Sequence, residues 1–194
     1  MYCVMSAQEW GNAMITLHEA GYHWSSTVIW AKDTLVLSRK DYHTQYEPIW
    51  YGWLEGKRLC PLSDRKQSDL WQIPRPKKSE LHPTTKPLAL VGKALANSSC
   101  AGDVVLDTFG GSGSTLISAE QTGRVCHMME LDPRYATVII RRYAAFMDNG
   151  GADITVERGG EVISYSDSVK GCSNFSCTYL SRFIQDRNYI RVPP

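Results

Sequence analysis

The stretch from Val104 to Arg124, VVLDTFGGSGSTLISAEQTGR, constrains the fold of this chain more than any other. Its apolar start predicts a strand, its glycines at 110, 111 and 113 predict a tight loop, and the residues from Ser114 onward predict a helix. Glycines lack the Cβ atoms that would hold a ligand away, and backbone N–H groups near a helix N-terminus receive electron-rich groups. The stretch therefore predicts a strand–loop–helix unit whose backbone closely approaches a ligand.

Strands and helices alternate along the rest of the chain. The predicted strands are YCVMS, STVIWAK, EPIWYGW, DVVLDTF and RVCHMMELD, and the predicted helices are QEWGNAMITLHEAGY, KPLALVGKALANSS, STLISAEQTG and PRYATVIIRRYAAFMD. The segments ADITVE and EVISYS predict a C-terminal β-hairpin. This alternation predicts an α/β fold with a mostly parallel sheet, helices on both faces, and ligands at the carboxyl ends of the strands.

Composition limits the class of protein. Of the 194 residues, 43% are hydrophobic and 21% are charged, which is typical of a globular domain. The sequence has no run of about 18 or more apolar residues and no signal-peptide pattern, so we expect a cytoplasmic protein that does not bind a membrane. Its six cysteines are scattered without a CxxC pair, which predicts reduced thiols and no metal site.

Positive charge is concentrated in one region, although the net charge of the chain is only +1. Between Lys57 and Lys86 there are eight basic and three acidic residues, together with four prolines and no strand or helix period. The region is therefore predicted to be an extended basic loop. Composition alone leaves two interpretations open, a surface for a polyanion and an ordinary solvated loop.

Glu130 lies at the end of the strand that follows the glycine loop, 19 residues after Gly111. A carboxylate there is placed to accept both hydroxyls of a ribose, and Leu131 beside it could cover an adenine ring. The alternative for a lone glutamate is an ordinary surface acid. A nicotinamide dinucleotide fits less well, because the third glycine of its GxGxxG motif would fall where Leu116 stands.

Three motifs resemble those of S-adenosylmethionine-dependent DNA amino-methyltransferases. DTFGGSGST from Asp107 resembles the DPFxGSGT loop of that family, HPTTKP from His82 resembles a second element, and ELDPRY from Glu130 resembles a third. Their order resembles the beta class, and the segment AGYHWSSTVIWAKDTLVLSRKDYHTQYEPIWYG is similar to phage and bacterial adenine-specific enzymes. The chain departs from the family at Thr108, where proline is usual, and at Tyr46, where a histidine is common before the glutamate.

The resemblance implies a Rossmann-like methyltransferase sheet and S-adenosylmethionine as the cofactor. It covers residues 1–168 as one domain, with a target-recognition loop region at about 39–80 and a cofactor-binding half at 82–168, and leaves 169–194 unassigned. The residues that it implies for the cofactor are Thr84, Lys86, Asp107, Phe109, Gly111, Ser112, Gly113, Ser114, Glu130 and Leu131. Those that it implies for double-stranded DNA are Arg39, Lys40, Arg65, Lys66, Arg75, Lys77 and Lys78. The nearby aromatic residues Trp50, Tyr51, Trp53 and Trp71 either stack on nucleic acid or belong to the core.

The DPPY-type catalytic tetrapeptide, which in this family binds the amino group of a flipped base, does not occur in the sequence. We therefore assign no catalytic residue and expect a chain truncated before that motif. The expected activity is adenine-N6 methylation of DNA. The alternatives are cytosine-N4 methylation, a catalytically incomplete fragment that binds DNA or cofactor, and, more distantly, a nicotinamide oxidoreductase. A separate polypeptide or a tail segment such as CTYLSRFI could supply the missing central strand, but we expect YCVMS to pair directly with DVVLDTF.

Overall fold

The computed structural model describes residues 1–57, 60–62, 64, 66–76, 85–147, 150–152, 154–158, 161–165 and 190–191. The chain divides into two compact units. The first unit comprises Met1–Lys77 and Ala89–Cys100, and the second comprises Lys78–Leu88 and Ala101–Pro194. No helix in the described part of the chain is long and apolar enough to cross a membrane.

The first unit is built on a four-stranded sheet. Its strands are β1 (Tyr2–Val4), β2 (Tyr22–Val36), β3 (Thr44–Leu54) and β4 (Leu70–Gln72), and its helices are a 3-10 turn (Ala7–Glu9), α1 (Trp10–Glu19) and α2 (Leu88–Ser98) from Ala89 onward. The strand order is β1-β3-β2-β4, with β3 antiparallel to both of its neighbours and β4 parallel to β2. Strands β1, β2 and β4 therefore run in one direction and end toward the same edge of the sheet.

The core of the first unit consists of large side chains from the middle of the sheet and from α2. Its buried members are Val28, Trp30, Ile49, Tyr51, Trp71 and Leu90. Trp30 donates its indole N–H to the carbonyl oxygen of Ile73 at 2.7 Å, so this buried polar group is satisfied. Aromatic and β-branched residues form these strands because their side chains pack well on a pleated surface.

The same packing decides between the two interpretations of the aromatic residues. Trp50, Tyr51 and Trp71 are buried, and the half-buried Trp53 packs against the same core. The structure therefore assigns these residues to the interior of the first unit, and stacking of the three buried rings on nucleic acid is wrong. Gly52 lies among them because a Cβ atom there would collide with the carbonyl oxygen of His23 and with the Trp50 ring.

The described residues of the second unit form two smaller sheets and two helices. Its elements are β5 (Val104–Asp107), α3 (Ser114–Gln121), β6 (Val125–Met128), α4 (Pro133–Phe146), β7 (Thr155–Arg158), β8 (Glu161–Ser164) and β9 (Ile190–Arg191). Strands β5 and β6 form a parallel pair, and β7 lies between β8 and β9 with antiparallel pairing on both sides. The predicted C-terminal hairpin is confirmed, and β9 lies in the segment 169–194 that the sequence left unassigned.

Helix α4 packs its buried face, Ile139, Tyr143 and Ala144, within the second unit. It begins at Pro133, which suits a first helical turn because no N–H is needed there. The preceding Asp132 caps the helix by accepting the backbone N–H of Arg134 at 2.9 Å. The hydrogen bond and charge of the Arg134 side chain also hold the pKa of Asp132 below its usual range. The DPRY part of the third motif therefore has a capping role.

The α/β class is confirmed, but two expectations about strand pairing need correction. Of the six pairings among the described strands, four are antiparallel and two are parallel, so the sheet is not mostly parallel. The seven residues between β2 and β3 permit an antiparallel return and are too few for a parallel crossover. The expected pairing of YCVMS with DVVLDTF is also wrong in this structure, since β1 pairs with β3, and β5 pairs with β6 in a separate sheet.

Candidate functional site

The glycine loop between β5 and α3 is fixed largely by its own backbone. Asp107 accepts the N–H of Phe109 at Oδ1 at 3.0 Å, and the carbonyl oxygen of Met129 accepts the N–H of Gly110 at 2.8 Å. The N–H of Gly113 donates to the carbonyl oxygen of Gly110 at 2.8 Å. Several N–H groups that the sequence suggested for an incoming ligand are therefore already bound within the protein. The loop is therefore preorganised by its own hydrogen bonds, and these N–H groups do not form an open anion-binding site.

Two of the glycines are required by close packing. A Cβ atom at Gly110 would lie 2.7 Å from the Met128 sulfur, and one at Gly113 would lie 3.0 Å from Cγ2 of Ile139. Gly113 also has a backbone φ of 77°, in the left-handed region that residues other than glycine rarely adopt. Met128 ends β6 and Ile139 lies on α4, so the glycines allow the loop to contact both elements.

Glu130 follows β6 and binds the backbone on two sides. Its Oε2 accepts the N–H of Gly111 at 2.6 Å, and its Oε1 accepts the N–H of Asp132 at 2.9 Å. The two positions that the sequence paired across 19 residues are therefore in direct contact. Each carboxylate oxygen can accept two hydrogen bonds, so both oxygens of this half-buried group retain a lone pair for a further donor.

Two large apolar side chains adjoin this arrangement in the chain and are open to solvent. Phe109, in the loop, is 89% exposed, and Leu131, next to Glu130, is 80% exposed. A carboxylate that can accept two hydroxyls suits a ribose, and uncovered apolar side chains suit the face of a purine. The residues present at the loop therefore fit a nucleoside group.

Ser112 and Ser114 are buried and held by Arg142. The Arg142 Nη1 atom donates to the Ser112 carbonyl oxygen at 3.0 Å and to the hydroxyls of both serines at 3.2 Å. The Ser114 hydroxyl donates in turn to the carbonyl oxygen of Lys86 at 2.8 Å. The structure gives both hydroxyls a role in holding the loop, and the cofactor contacts that the resemblance implies for them stay predictions.

Sequence reasoning missed Arg142. It follows Ile139 by three residues in α4 and therefore lies near the face that Ile139 and Tyr143 bury. Partial burial lowers the pKa of its guanidinium, and the oxygens of Ser112 and Ser114 supply hydrogen bonds to this half-buried group. A basic residue within the apolar stripe of a helix was the signal that could have identified it.

The remaining predicted residues of the cofactor half are placed as follows. Asp107, Phe109, Gly111, Gly113, Glu130 and Leu131 lie in the loop or next to its carboxylate. Lys86 lies just before α2 and contacts the loop through its backbone carbonyl. Thr84 falls outside the described residues, as do Arg65, Lys77 and Lys78 of the predicted DNA surface.

The first unit carries exposed basic residues at the edge where β2 and β4 end. Arg39 and Lys40 lie in the connection from β2 to β3, and Arg75 follows β4. The backbone N–H of Arg75 donates to Oδ1 of Asp33 at 3.0 Å, which ties the chain after β4 to the end of β2. Lys66 is also exposed, in the segment before β4, where its N–H donates to Asp64. We name Arg39, Lys40 and Arg75 the basic edge.

Glu47, the glutamate that follows Tyr46, pairs with Lys32 across β2 and β3. The Lys32 ammonium lies 2.8 Å from Oε1 of Glu47 and 5.2 Å from the centre of the Trp30 ring. The Lys32 side chain is nearly buried, so it requires an anionic partner. The pair therefore has a structural role next to the basic edge.

The sheet, the glycine loop and the carboxylate that binds it are typical of nucleoside-binding α/β proteins. The family model named for N6 and N4 methyltransferases and described as DNA methylase matches residues 2–141. Because this match covers well over half of the 194 residues, the chain belongs to the DNA methylase family.

Individual relatives agree with this assignment. The DNA adenine methyltransferase YhdJ of Escherichia coli (strain K12) is 28% identical over 150 residues, which cover 60% of this chain and 51% of that protein. The type II methyltransferase M2.MboI of Moraxella bovis is 33% identical over 84 residues, 41% of this chain and 31% of that protein. The chain thus spans about half the length or less of these two relatives.

Solved structures show the same fold. The crystal structure of the M1.HpyAVI–SAM complex matches with a TM-score of 0.62 and 24% identity, over 73% of this chain and 72% of that chain. The methyltransferase fold that the three motifs implied is therefore confirmed.

Proposed function

We propose that this chain provides the cofactor site and a DNA-binding surface of a DNA methyltransferase. The observation that carries the proposal is the Glu130 carboxylate, which binds the N–H groups of Gly111 and Asp132 and keeps a lone pair on each oxygen. Membership of the DNA methylase family supports the assignment, as does the fold shared with a structure solved as a SAM complex.

The loop residues have separable roles in holding S-adenosylmethionine. Glu130 accepts the two ribose hydroxyls, and the exposed Leu131 and Phe109 provide apolar surface for the adenine. The glycines at 110, 111 and 113 let the backbone approach the cofactor, and Arg142 keeps that backbone in place through Ser112 and Ser114. When bound, the cofactor supplies a methyl group on a sulfonium, and the protein contributes position.

The basic edge serves the DNA backbone. Arg39, Lys40 and Arg75 are exposed and lie where β2 and β4 end, the side of an α/β sheet at which ligands bind. Guanidinium and ammonium groups bind phosphates, and each such contact makes affinity depend on salt. Lys66, Arg65, Lys77 and Lys78 belong to the same proposed surface because they flank Arg75 in the chain.

We infer that the methyl acceptor is the N6 amino group of adenine. The name of the YhdJ relative and the resemblance to adenine-specific enzymes support this choice, whereas the family description includes both N6 and N4 enzymes. Mass spectrometry of nucleosides from DNA treated with the protein and labelled cofactor should detect N6-methyladenine. Labelled N4-methylcytosine without N6-methyladenine would replace adenine with cytosine as the target.

A second candidate function is binding of cofactor and DNA without methyl transfer. The absence of a DPPY-type tetrapeptide from the sequence favours it, because that motif binds the target amino group in this family. The same labelled-cofactor experiment separates the candidates. Cofactor and DNA binding without any labelled nucleoside would favour the binding function.

Calorimetric titration with S-adenosylmethionine tests the cofactor site. Replacing Glu130 with Ala removes the charged acceptor for two hydroxyls and should weaken binding by about 1.5–3 kcal/mol, or roughly 10- to 150-fold. Glu55→Gln is the control, since it removes one negative charge at an exposed position of the first unit. Because Glu130 also binds the loop, circular dichroism should verify that the variant is folded. Equal affinities of the Glu130→Ala and Glu55→Gln proteins would remove Glu130 from the site.

A further inference from the structure

The tip of the β2–β3 hairpin, residues 37–43, shares an unusual property with the cofactor loop. Among the described residues, four large hydrophobic side chains are at least 80% exposed: Leu37, Tyr42, Phe109 and Leu131. Phe109 and Leu131 lie at the proposed nucleoside site, and the other two lie in the hairpin tip at 80% and 90% exposure. Isolated exposed apolar residues are common, but two within one short connection mark a candidate contact surface.

The hairpin tip is closed by hydrogen bonds. The backbone N–H of Ser38 donates to Nδ1 of His43 at 3.2 Å, and the N–H of Lys40 donates to the Ser38 hydroxyl at 3.4 Å. Directly below the tip, Val36 and Thr44 are paired across β2 and β3. Leu37 and Tyr42 are therefore presented to solvent on an ordered turn.

The charged residues of the hairpin tip indicate which kind of ligand it binds. Arg39 and Lys40 lie between the two apolar residues in the chain and are exposed, and Asp41 is the acidic residue of the tip. Arg75 adds a third exposed cation near the base of the hairpin, where its backbone binds Asp33. An apolar pair with flanking cations suits a polyanion that also offers stacked apolar surfaces, as duplex DNA does.

We propose that Leu37 and Tyr42 form a wedge that enters the DNA stack where a base is displaced, while Arg39 and Lys40 contact the adjacent phosphates. The inference rests on the proposed function, because an enzyme that modifies a base in a duplex must first extrude it. Extrusion leaves an unstacked gap, and apolar side chains inserted between base steps fill such gaps in other DNA complexes. The wedge would stabilise the opened duplex and leave the cofactor site unchanged.

Binding to intact and gapped duplexes tests the wedge. The probes are a labelled duplex of about 30 base pairs and the same duplex with a central abasic site, which offers a gap without unstacking. The unmodified protein should bind the abasic duplex about tenfold more tightly, and the double variant Leu37→Ala/Tyr42→Ala should bind both duplexes with similar affinity. Ile15→Ala, at an exposed position on α1 outside the tip, should keep the tenfold preference. The same preference in the double variant and the unmodified protein, or no preference in either, would overturn the wedge.

Two further variants separate the contributions of the Tyr42 ring and of the Arg39 and Lys40 charges to DNA binding. Tyr42→Phe retains the ring and should retain the preference for the abasic duplex. Arg39→Ala/Lys40→Ala should weaken binding to both duplexes equally and lower the slope of log affinity against log salt by about 0.9 for each lost phosphate contact. An unchanged slope would show that Arg39 and Lys40 do not contact phosphates. Since Leu37 and Tyr42 are largely exposed, the substitutions should leave the melting temperature unchanged, which thermal denaturation verifies.

Cofactor titration of the double variant separates this proposal from the proposed function. The affinity for S-adenosylmethionine should equal that of the unmodified protein. If the unmodified chain binds the cofactor but shows no gap preference, the wedge fails and the cofactor site stands. If the gap preference depends on Leu37 and Tyr42 but Glu130→Ala leaves cofactor affinity unchanged, the wedge stands and the assigned cofactor site fails.

Discussion

The glycine loop is proposed to contact the cofactor and the β2–β3 hairpin is proposed to contact DNA. The loop does so mainly through its backbone, and the hairpin through exposed side chains. In the loop, glycines at fixed positions pack against Met128 and Ile139, and the nearby serine hydroxyls are buried. In the hairpin, the backbone forms a long antiparallel pair, and function is proposed for side chains that contact solvent. Side chains added to the glycine loop should therefore destabilise the fold. Substitutions of the exposed side chains in the hairpin tip should change its stability very little.

Glycine-to-alanine substitutions test this contrast with the largest expected effects. Alanine at Gly52 places a Cβ atom against the His23 carbonyl and the Trp50 ring within β2 and β3, which should destabilise the protein by about 3 kcal/mol. Alanine at Gly113 meets the left-handed φ and the Ile139 side chain and should cost about 1–2 kcal/mol. Urea denaturation measures both free energies of unfolding.

Gly11 provides the matched control for these substitutions. It lies in α1, and a Cβ atom there would meet no heavy atom within 4 Å. Alanine at this position should stabilise the protein by up to about 1 kcal/mol, because glycine is unfavourable inside a helix. Equal effects at all three positions would show that the close packing at Gly52 and Gly113 does not govern stability.

Arg142 tests whether the loop depends on a residue outside its motif. Arg142→Met removes the donor to Ser112 and Ser114 and should destabilise the protein by about 2 kcal/mol, because buried acceptors lose a charged partner. The affinity for S-adenosylmethionine should fall with it, although Arg142 has no proposed contact with the cofactor. Arg141→Met makes the same charge change at an exposed neighbouring position and is the control. If both variants keep normal stability and affinity, the loop holds its shape without Arg142.

The contrast between the two regions also explains what the sequence could predict. The contact between Gly111 and Glu130 was predictable because a strand, a glycine loop and a following strand place these positions together by local geometry alone. The burial of Ser112 and Ser114 was not predictable from the loop, since Arg142 lies 30 residues after Ser112. That contact exists only because α4 packs next to the loop.

Strand pairing and the hairpin tip show a second limit. The pattern STVIWAK predicted a strand, but β2 runs from Tyr22 to Val36, because cross-strand pairing with β3 extends it beyond its own apolar core. Leu37 and Tyr42 have no motif and were not singled out, since apolar residues in a sequence predict burial. Only the structure distinguishes them from the buried tryptophans on the two strands that the tip connects.

Alkaline pH should affect the loop region through Cys126, and the effect should be smaller than those of the glycine and arginine substitutions. Burial, together with the negative charge of Asp107, raises the pKa of the Cys126 thiol to about 12 from an ordinary value of 9.0. The folded protein therefore favours the protonated thiol, and this contribution to stability is present below pH 9 and is lost as pH rises toward 12. At pH 8.5, iodoacetamide should alkylate Cys126 at least about 100-fold more slowly in the folded chain than in urea, because the thiolate is the reactive form. Peptide mass spectrometry measures this rate. In the Cys126→Ala variant, the free energy of unfolding should fall less steeply between pH 9 and 12. Equal alkylation rates in the folded and unfolded chains would mean that β6 does not shield its side chains, and the packing of the loop against β6 would then have to be reconsidered.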